Sequence, residues 1–250
     1  MDKKVVVVTG ASSGIGRATA GLFAANGWHV AAVGRNESEL ADLCSNAGES
    51  VFPILADLTD DDQTENLVNE VLERTGQIDT LVNSAGIIKS GTIENTLLED
   101  WDRMMNINLR TTFRLMQLCV PPLAKSKGNI VNVSSVTGLR AFPGVLAYCV
   151  SKAATDQLTR CAALELAPKG VRVNAVNPGV VETNLHKRGG MGAEDYEKFL
   201  ANAANTHPIG RAGQPIEVAE LIYYLASEKA AWITGATYEI DGGRAQTCAR

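Results

Sequence analysis

Short runs rich in valine, isoleucine and leucine recur at 5–8, 30–33, 51–55, 80–82, 129–133, 171–176 and 237–240, each bounded by turn-forming residues. Their length and apolar character predict strands covered on both faces. Between them lie stretches of helical periodicity, the first near 14–26 and another presenting Leu67, Val68, Val71 and Leu72 on one face. Seven strands alternating with six helical zones are the βαβ signature of a parallel sheet. The predicted fold class is therefore α/β: a three-layer, doubly wound parallel sheet of Rossmann type, one domain over 1–250. No repeat, linker or low-complexity block marks a second domain.

Two stretches need separate treatment. The acidic Thr59-Asp60-Asp61-Asp62 precedes a helical pattern, and capping with dipole complementarity accounts for it. Between residues 98 and 121 apolar residues fall on two faces, Met105, Leu109, Met116 and Val120 on one and Ile107, Leu115 and Leu118 on the other. A helix of this kind is expected to be buried on both sides, by its own sheet and by another subunit.

Composition narrows the class. Of 250 residues, 45% are hydrophobic and 20% charged, a globular balance that excludes a disordered or collagen-like chain. The net charge of −5 argues against nucleic acid or an anionic membrane as partner. No uncharged apolar run reaches the ~18 residues of a membrane span, and Met1-Asp2-Lys3-Lys4 leads into the first strand without a signal segment. Five cysteines (Cys44, Cys119, Cys149, Cys161 and Cys248) without CxxC spacing suggest a reducing, cytoplasmic setting. His29, His186 and His207 lie far apart without ligand spacing, so no metal site is expected.

Candidate chemistry begins at Thr9-Gly10-Ala11-Ser12-Ser13-Gly14-Ile15-Gly16, between the first strand and the first helix. There the unpaired N–H groups and positive dipole end of a helix can hold a pyrophosphate, and glycine allows close approach. The spacing is GxxxGxG rather than GxGxxG. A second signal is Tyr148 with Lys152 one helical turn on, Ser135 thirteen residues upstream at a strand end, and Asn108 in the preceding helix. A tyrosine that hands a proton to a carbonyl oxygen near neutral pH needs a cation to lower its pKa of about 10. Lys152 can supply that charge, and Ser135 can polarise the substrate oxygen; a shift of roughly 2–3 units requires about 3–4 kcal/mol.

These residues, with Asp57-Leu58, Asn83-Ser84-Ala85-Gly86, Asn177-Pro178-Gly179, Thr183 and Asp241-Gly242-Gly243, make the chain resemble the compact branch of the short-chain dehydrogenase/reductase family nearly end to end, most of all its 3-oxoacyl-thioester reductase-like members. The resemblance implies an NAD(P)(H)-dependent oxidoreductase acting on a small carbonyl or alcohol, and assembly as a homotetramer. It implies Tyr148 as acid/base, Ser135 holding the substrate oxygen, Lys152 holding the nicotinamide ribose and Asn108 anchoring a water. Cofactor contacts would come from Gly10, Ser12, Ser13, Gly14, Ile15 and Gly16, from Asp57 and Leu58 at the adenine, from Asn83, Ala85 and Gly86 at the ribose, and from Pro178, Gly179, Val181 and Thr183 at the carboxamide. Ser84 departs from the family's second asparagine and puts local rigidity in question. The competing reading is a nucleotide-sensing or scaffold protein of this fold without turnover, which would predict damage to the Ser–Tyr–Lys set; that set is intact.

Cofactor choice is expected at the end of the second strand, Val33-Gly34-Arg35-Asn36. An acid there would favour NAD(H). Gly34 stands in its place and Arg35 can bind a 2′-phosphate, so NADP(H) is expected to be preferred, with NAD(H) the weaker alternative; Arg17 is expected to lie along the helix surface. Residues 184–208 interrupt the βα rhythm and resemble a substrate lid, with Lys187 and Arg188 expected in solvent. Arg140, Phe142 and Val145 are candidates to line the pocket, Arg140 equally a surface residue.

Overall fold

The seven apolar runs become β1 (Val5–Thr9), β2 (His29–Gly34), β3 (Val51–Leu55), β4 (Thr80–Asn83), β5 (Asn129–Val133), β6 (Arg172–Pro178) and β7 (Thr237–Ile240). Between them run α1 (Gly14–Ala25), α2 (Glu37–Ala47), α3 (Asp61–Thr75), α4 (Leu98–Met105), α5 (Thr111–Ser126), α6 (Val136–Leu139), α7 (Leu146–Leu166), α8 (Leu185–Arg188), α9 (Ala193–Thr206) and α10 (Pro215–Ala226). The structure is a computed structural model describing residues 3–247; Cys248 lies outside the described residues. All strands pair in parallel, in the order β3-β2-β1-β4-β5-β6-β7. Several strands run a residue or two past their apolar runs because the neighbour supplies a partner, as Val33 does for Thr9 and Ile240 for Pro178.

Two-sided burial follows from the period-2 geometry of a strand. Val5, Val7, Ala31, Val33, Leu81, Ile130 and Val173 pack against Leu67, Val71, Leu115, Cys119, Leu123 and Leu166 of α3, α5 and α7. Val6, Val8, Val30, Ala32, Val82, Val131 and Val176 face Phe23, Leu40, Leu43, Val218, Ile222 and Leu225 of α1, α2 and α10. With each buried valine worth about 1.5–3 kcal/mol over exposure, β1 is the anchor of both layers.

The stretch over 98–121 is not one helix. α4 passes into a π-helical turn, Asn106–Arg110, and then into α5, which continues through Pro121 and Pro122 because Leu123 beyond them is fully buried. Leu115 and Met116 both enter this chain's own core rather than opposite faces, since neighbours about 100° apart share one wide apolar stripe. On α5 Phe113 is left outward, 51% exposed. Asp60 caps α3 as expected, its Oδ1 accepting from the N–H groups of Asp62 and Gln63.

β1 lies where the strand order reverses, so a crevice opens beyond the carboxyl ends of β1 and β4. Thr9 stitches its lips: Oγ1 accepts from the N–H of Ser84 at 3.0 Å and of Ala85 at 3.1 Å. The turn after β1 is equally tight, because a Cβ on Gly16 would stand 2.4 Å from the Gly10 carbonyl oxygen. Gly21, on the same helix, has nothing within 4 Å of that position. Gly16→Ala is therefore expected to lower the unfolding free energy by about 1–3 kcal/mol through overpacking, and Gly21→Ala to raise it by about 0.5–1 kcal/mol. Chemical denaturation reads both; a Gly16→Ala protein as stable as wild type contradicts the packing described.

Candidate active site

Beyond the ends of β1, β4, β5 and β6 lies a cleft of about 1710 Å³. Gly10, Ser12, Ser13, Gly14, Ile15 and Gly16 line it, joined by Arg35 and Asn36 after β2, Asp57 and Leu58 after β3, and Ala85 and Gly86 after β4. Ser135 enters from the end of β5, Tyr148 and Lys152 from α7, and Pro178, Gly179, Val181 and Thr183 from the turn after β6. Two of the catalytic and cofactor residues singled out in the sequence do not line the cleft. Asn83 is buried in the sheet with its amide on Asn132 Oδ1. Asn108 is 1% exposed within the π-helical turn; its Oδ1 accepts from the Ile87 N–H, and its amide donates to the Ile87 carbonyl and Ser151 Oγ.

The nucleotide end is built to accept an anion. Ser13, the N-cap of α1, makes no side-chain cap, and the first turn carries no acid, so its N–H groups and dipole stay unneutralised. Gly10 and Gly14 hold φ of +67° and +55°, which brings the turn's backbone to the cleft wall. A dinucleotide pyrophosphate fits such a cradle. Asp57 accepts from the Thr59 N–H and hydroxyl, which hold its carboxyl below the usual range, and Arg35 stands 3.9 Å away.

The chemical end is dry. Ser135 caps α6, its Oγ accepting from the Thr137 N–H at 3.2 Å, and its hydroxyl acts to lower the Tyr148 phenol. Lys152 Nζ lies 5.7 Å from the Tyr148 ring centre and donates to the Val133 carbonyl at 2.8 Å. Both side chains are buried, and burial disfavours the charged form of each. It pushes the phenol of Tyr148 up to about 12 against the Ser135 hydrogen bond, and pulls Lys152 down to about 8 against the nearby Asp156 carboxylate. The lowering of Tyr148 expected from Lys152 is not found: burial is the largest influence on the phenol, and the influence opposing it is the Ser135 hydroxyl.

Residues 10–245 match a family model described as enoyl-(acyl carrier protein) reductase. The 3-oxoacyl-[acyl-carrier-protein] reductase FabG of Thermotoga maritima is 40% identical over 97% of this chain and 98% of its own length. The chain belongs to the short-chain dehydrogenase/reductase family. The meso-2,3-butanediol dehydrogenase of Serratia marcescens is 38% identical over 97% of this chain and 94% of its own length. Among solved structures, a short-chain dehydrogenase/reductase of Caenorhabditis elegans with cofactor superposes at a TM-score of 0.93, 37% identical over 98% of this chain and 96% of that one. ElxO with NADP bound gives 0.90, at 35% identity over 98% of this chain and all of the other.

In this short-chain dehydrogenase/reductase Ser84 does not loosen the crevice, since Thr9 secures the backbone of Ser84 and Ala85. Phe142 and Val145 line the cleft, whereas Arg140 is exposed outside it. Arg17 lies on the surface, bonded to the Glu39 carbonyl and the Asp42 carboxylate. Lys187 and Arg188 are not simply solvated: Lys187 Nζ sits 4.4 Å over the Tyr196 ring, and Arg188 bonds Ser13 and Glu39. The cleft is lined as well by His186, Met191 and Phe199 of the stretch expected as a lid, and by Ile88, Arg103 and Arg244, which sequence reasoning missed. His186 stacks on Phe199 with centres 4.4 Å apart.

Asp156 was missed too, although the signal was present: an acid one turn after Lys152 on the buried face of α7. It is 1% exposed, its carboxylate accepts from the Asn177 amide at 2.9 Å, and burial raises its pKa. The depressed Lys152 has a consequence for stability. An unfolded lysine keeps its proton to an ordinary 10.5 and the folded one only to about 8, so between those values the unfolded state binds more protons and wild-type stability rises with pH. Lys152→Met removes the buried charge and is expected to be about 1–3 kcal/mol more stable than wild type at pH 7. The gap narrows as pH rises past about 8. Thermal melts across that range check it; a gap independent of pH contradicts the buried-ammonium picture.

Proposed function

We propose that the chain is an NADP(H)-dependent carbonyl reductase and secondary-alcohol dehydrogenase, of the EC 1.1.1 type, working in the cytoplasm as a homotetramer. The observation that carries this is the convergence of Ser135, Tyr148 and Lys152 at the dry end of a cleft whose other end is an anion cradle. The substrates named for its relatives, a 3-oxoacyl group, meso-2,3-butanediol and cyclopentanol, share a ketone or secondary alcohol. Ile88, Val145, Met191 and Phe199 offer apolar walls for the flanks of such a group, and a 3-oxoacyl thioester is the reading favoured by the relative with 40% identity.

NADP(H), when bound, supplies or accepts the hydride. The chain's own residues handle the proton: Tyr148 Oη donates it to the developing alkoxide, Ser135 Oγ hydrogen-bonds the same oxygen, and Lys152 balances the phenolate left behind. Asn108 acts from behind, clamping the loop at Ile87 to α7 through Ser151 rather than offering its side chain to the cleft. Arg35 at the cleft wall, Gly34 in place of an acid, and ElxO structures holding NADP or NADPH support the cofactor choice.

Residues 184–208 form the substrate lid in this reading, built from α8 and α9 and joined to the body by Tyr196 Oη donating to the Thr183 carbonyl at 2.7 Å. Phe113 on α5 and Val150 and Leu164 on α7 remain exposed, apolar surface suited to subunit contact. Among the described residues no helix is long and apolar enough to cross a membrane. Slower amide exchange over 184–208 with cofactor and a tetramer by light scattering are expected; unchanged exchange argues against the lid, and a monomer against the assembly.

Tyr148→Phe is expected to lower kcat by about 10²–10⁴-fold while leaving NADPH affinity nearly intact, because only the proton donor is lost. A panel of 3-oxoacyl thioesters, diketones and cyclic ketones followed at the reduced-nicotinamide absorbance reads it, and near-wild-type kcat would sink the assignment. Wild type should also show a higher kcat/KM with NADPH than with NADH. Gly34→Asp with Arg35→Ile should reverse the order, since a Cβ at Gly34 meets Ser12 at 3.4 Å, room enough for an acid. A wild-type preference for NADH, or a ratio unchanged by the double substitution, contradicts the reading.

A further inference from the structure

The corner of the cleft assigned to the 2′-phosphate has an imbalance of charge. Arg35 is there, but it leans toward Asp57 at 3.9 Å, and Glu37 lines the same wall. Ser13 of the Gly-rich turn brings no cation. One exposed arginine flanked by carboxylates is a poor match for a group carrying about −1.5 to −2 charges. Arg17, next along α1, is already engaged by Asp42 and the Glu39 carbonyl.

A second arginine reaches this corner from the opposite side of the cleft. Arg188 ends α8, and its Nη1 donates to Ser13 Oγ at 2.9 Å while Nη2 donates to the Glu39 carboxylate at 3.1 Å. The residues in contact lie 175 and 149 positions apart in sequence. The ion pair is open to water, with the Arg188 side chain 52% exposed, and an exposed pair of this kind holds weakly. A phosphate offers three acceptor oxygens to a planar guanidinium, a stronger partner than a solvated carboxylate.

We propose that Arg188 is the second cation of the 2′-phosphate site, delivered by the segment over the cleft rather than by the Gly-rich turn, so that phosphate recognition and closure of that segment are one event. In the cofactor-free chain Glu39 and Ser13 hold the guanidinium in place; the phosphate takes over from Glu39 while Ser13 stays within reach. This inference rests on the NADP(H) reading and adds a specificity residue to it.

The test uses two fragments that differ only in the phosphate, 2′,5′-ADP and 5′-AMP, titrated by calorimetry into wild type, Arg188→Gln and Arg188→Lys. Arg188→Gln should weaken 2′,5′-ADP roughly 10- to 100-fold, the range of a charge-assisted bond, and leave 5′-AMP within about twofold, which also reports that the nucleotide cradle is folded. Arg188→Lys should recover part of the loss. A wild type that binds both fragments alike defeats the NADP(H) reading itself. A wild type that prefers 2′,5′-ADP, with Arg188→Gln keeping the same preference or losing both fragments equally, leaves that reading standing and overturns the role of Arg188.

Discussion

Lys152 keeps an ammonium out of water, 5% exposed, and much of the cleft floor is arranged around that fact. Desolvation pulls it down to about 8 even against the Asp156 carboxylate one turn along α7, and its Nζ donates to the Val133 carbonyl at the end of β5. Asp156 is in turn held by Asn177 at the end of β6, whose amide also donates to the Ser135 carbonyl at 3.0 Å. The strand that supplies the lysine's acceptor, the helix that carries the lysine and the strand that steadies its counter-charge are therefore one polar unit. The parallel sheet matters because it brings the ends of β5 and β6 side by side, Val133 opposite Val176.

The nucleotide end repeats the logic with opposite sign. There the chain leaves donors without partners: the first turn of α1 has no side-chain cap and no acid. The two ends carry opposite electrostatics, open donors at the turn after β1 and a buried ammonium beside Tyr148. Such strain between stability and function is the usual condition of a site assembled on a rigid frame.

Much of this was legible in the sequence, for identifiable reasons. The runs at 51–55, 129–133 and 237–240 match β3, β5 and β7 because β-formers between turn residues leave little choice of register or end. Ser135, Tyr148 and Lys152 could be found together because the last two share a helix face and the first closes a strand. The π-helical turn at Asn106–Arg110 was not legible as such, since one extra residue shifts the helical phase by about 100° and reads as a second apolar face. Arg188 was read as solvated for the same local reason: its partners, Ser13 and Glu39, are brought near only by the whole chain's path around the sheet. Asp156 was within reach, but a buried acid is recognised from its burial, which the sequence shows only once the helix face is known.

Tyr148 is the group through which these features converge, and its own titration measures them most directly. Labelling the tyrosines with carbon-13 at Cζ, assigning Tyr148 with the Tyr148→Phe protein, and following its resonance against pH gives the phenol pKa with and without NADP⁺. In the free chain it should titrate near 12, as burial dictates. With NADP⁺ bound it should fall roughly 2–3 units below the ordinary phenol value of about 10, as a donor working near neutral pH requires. A phenol that titrates near its ordinary value in the free chain, or one that NADP⁺ leaves in place, would contradict a site whose chemistry depends on a buried, cofactor-completed Tyr148–Lys152 pair.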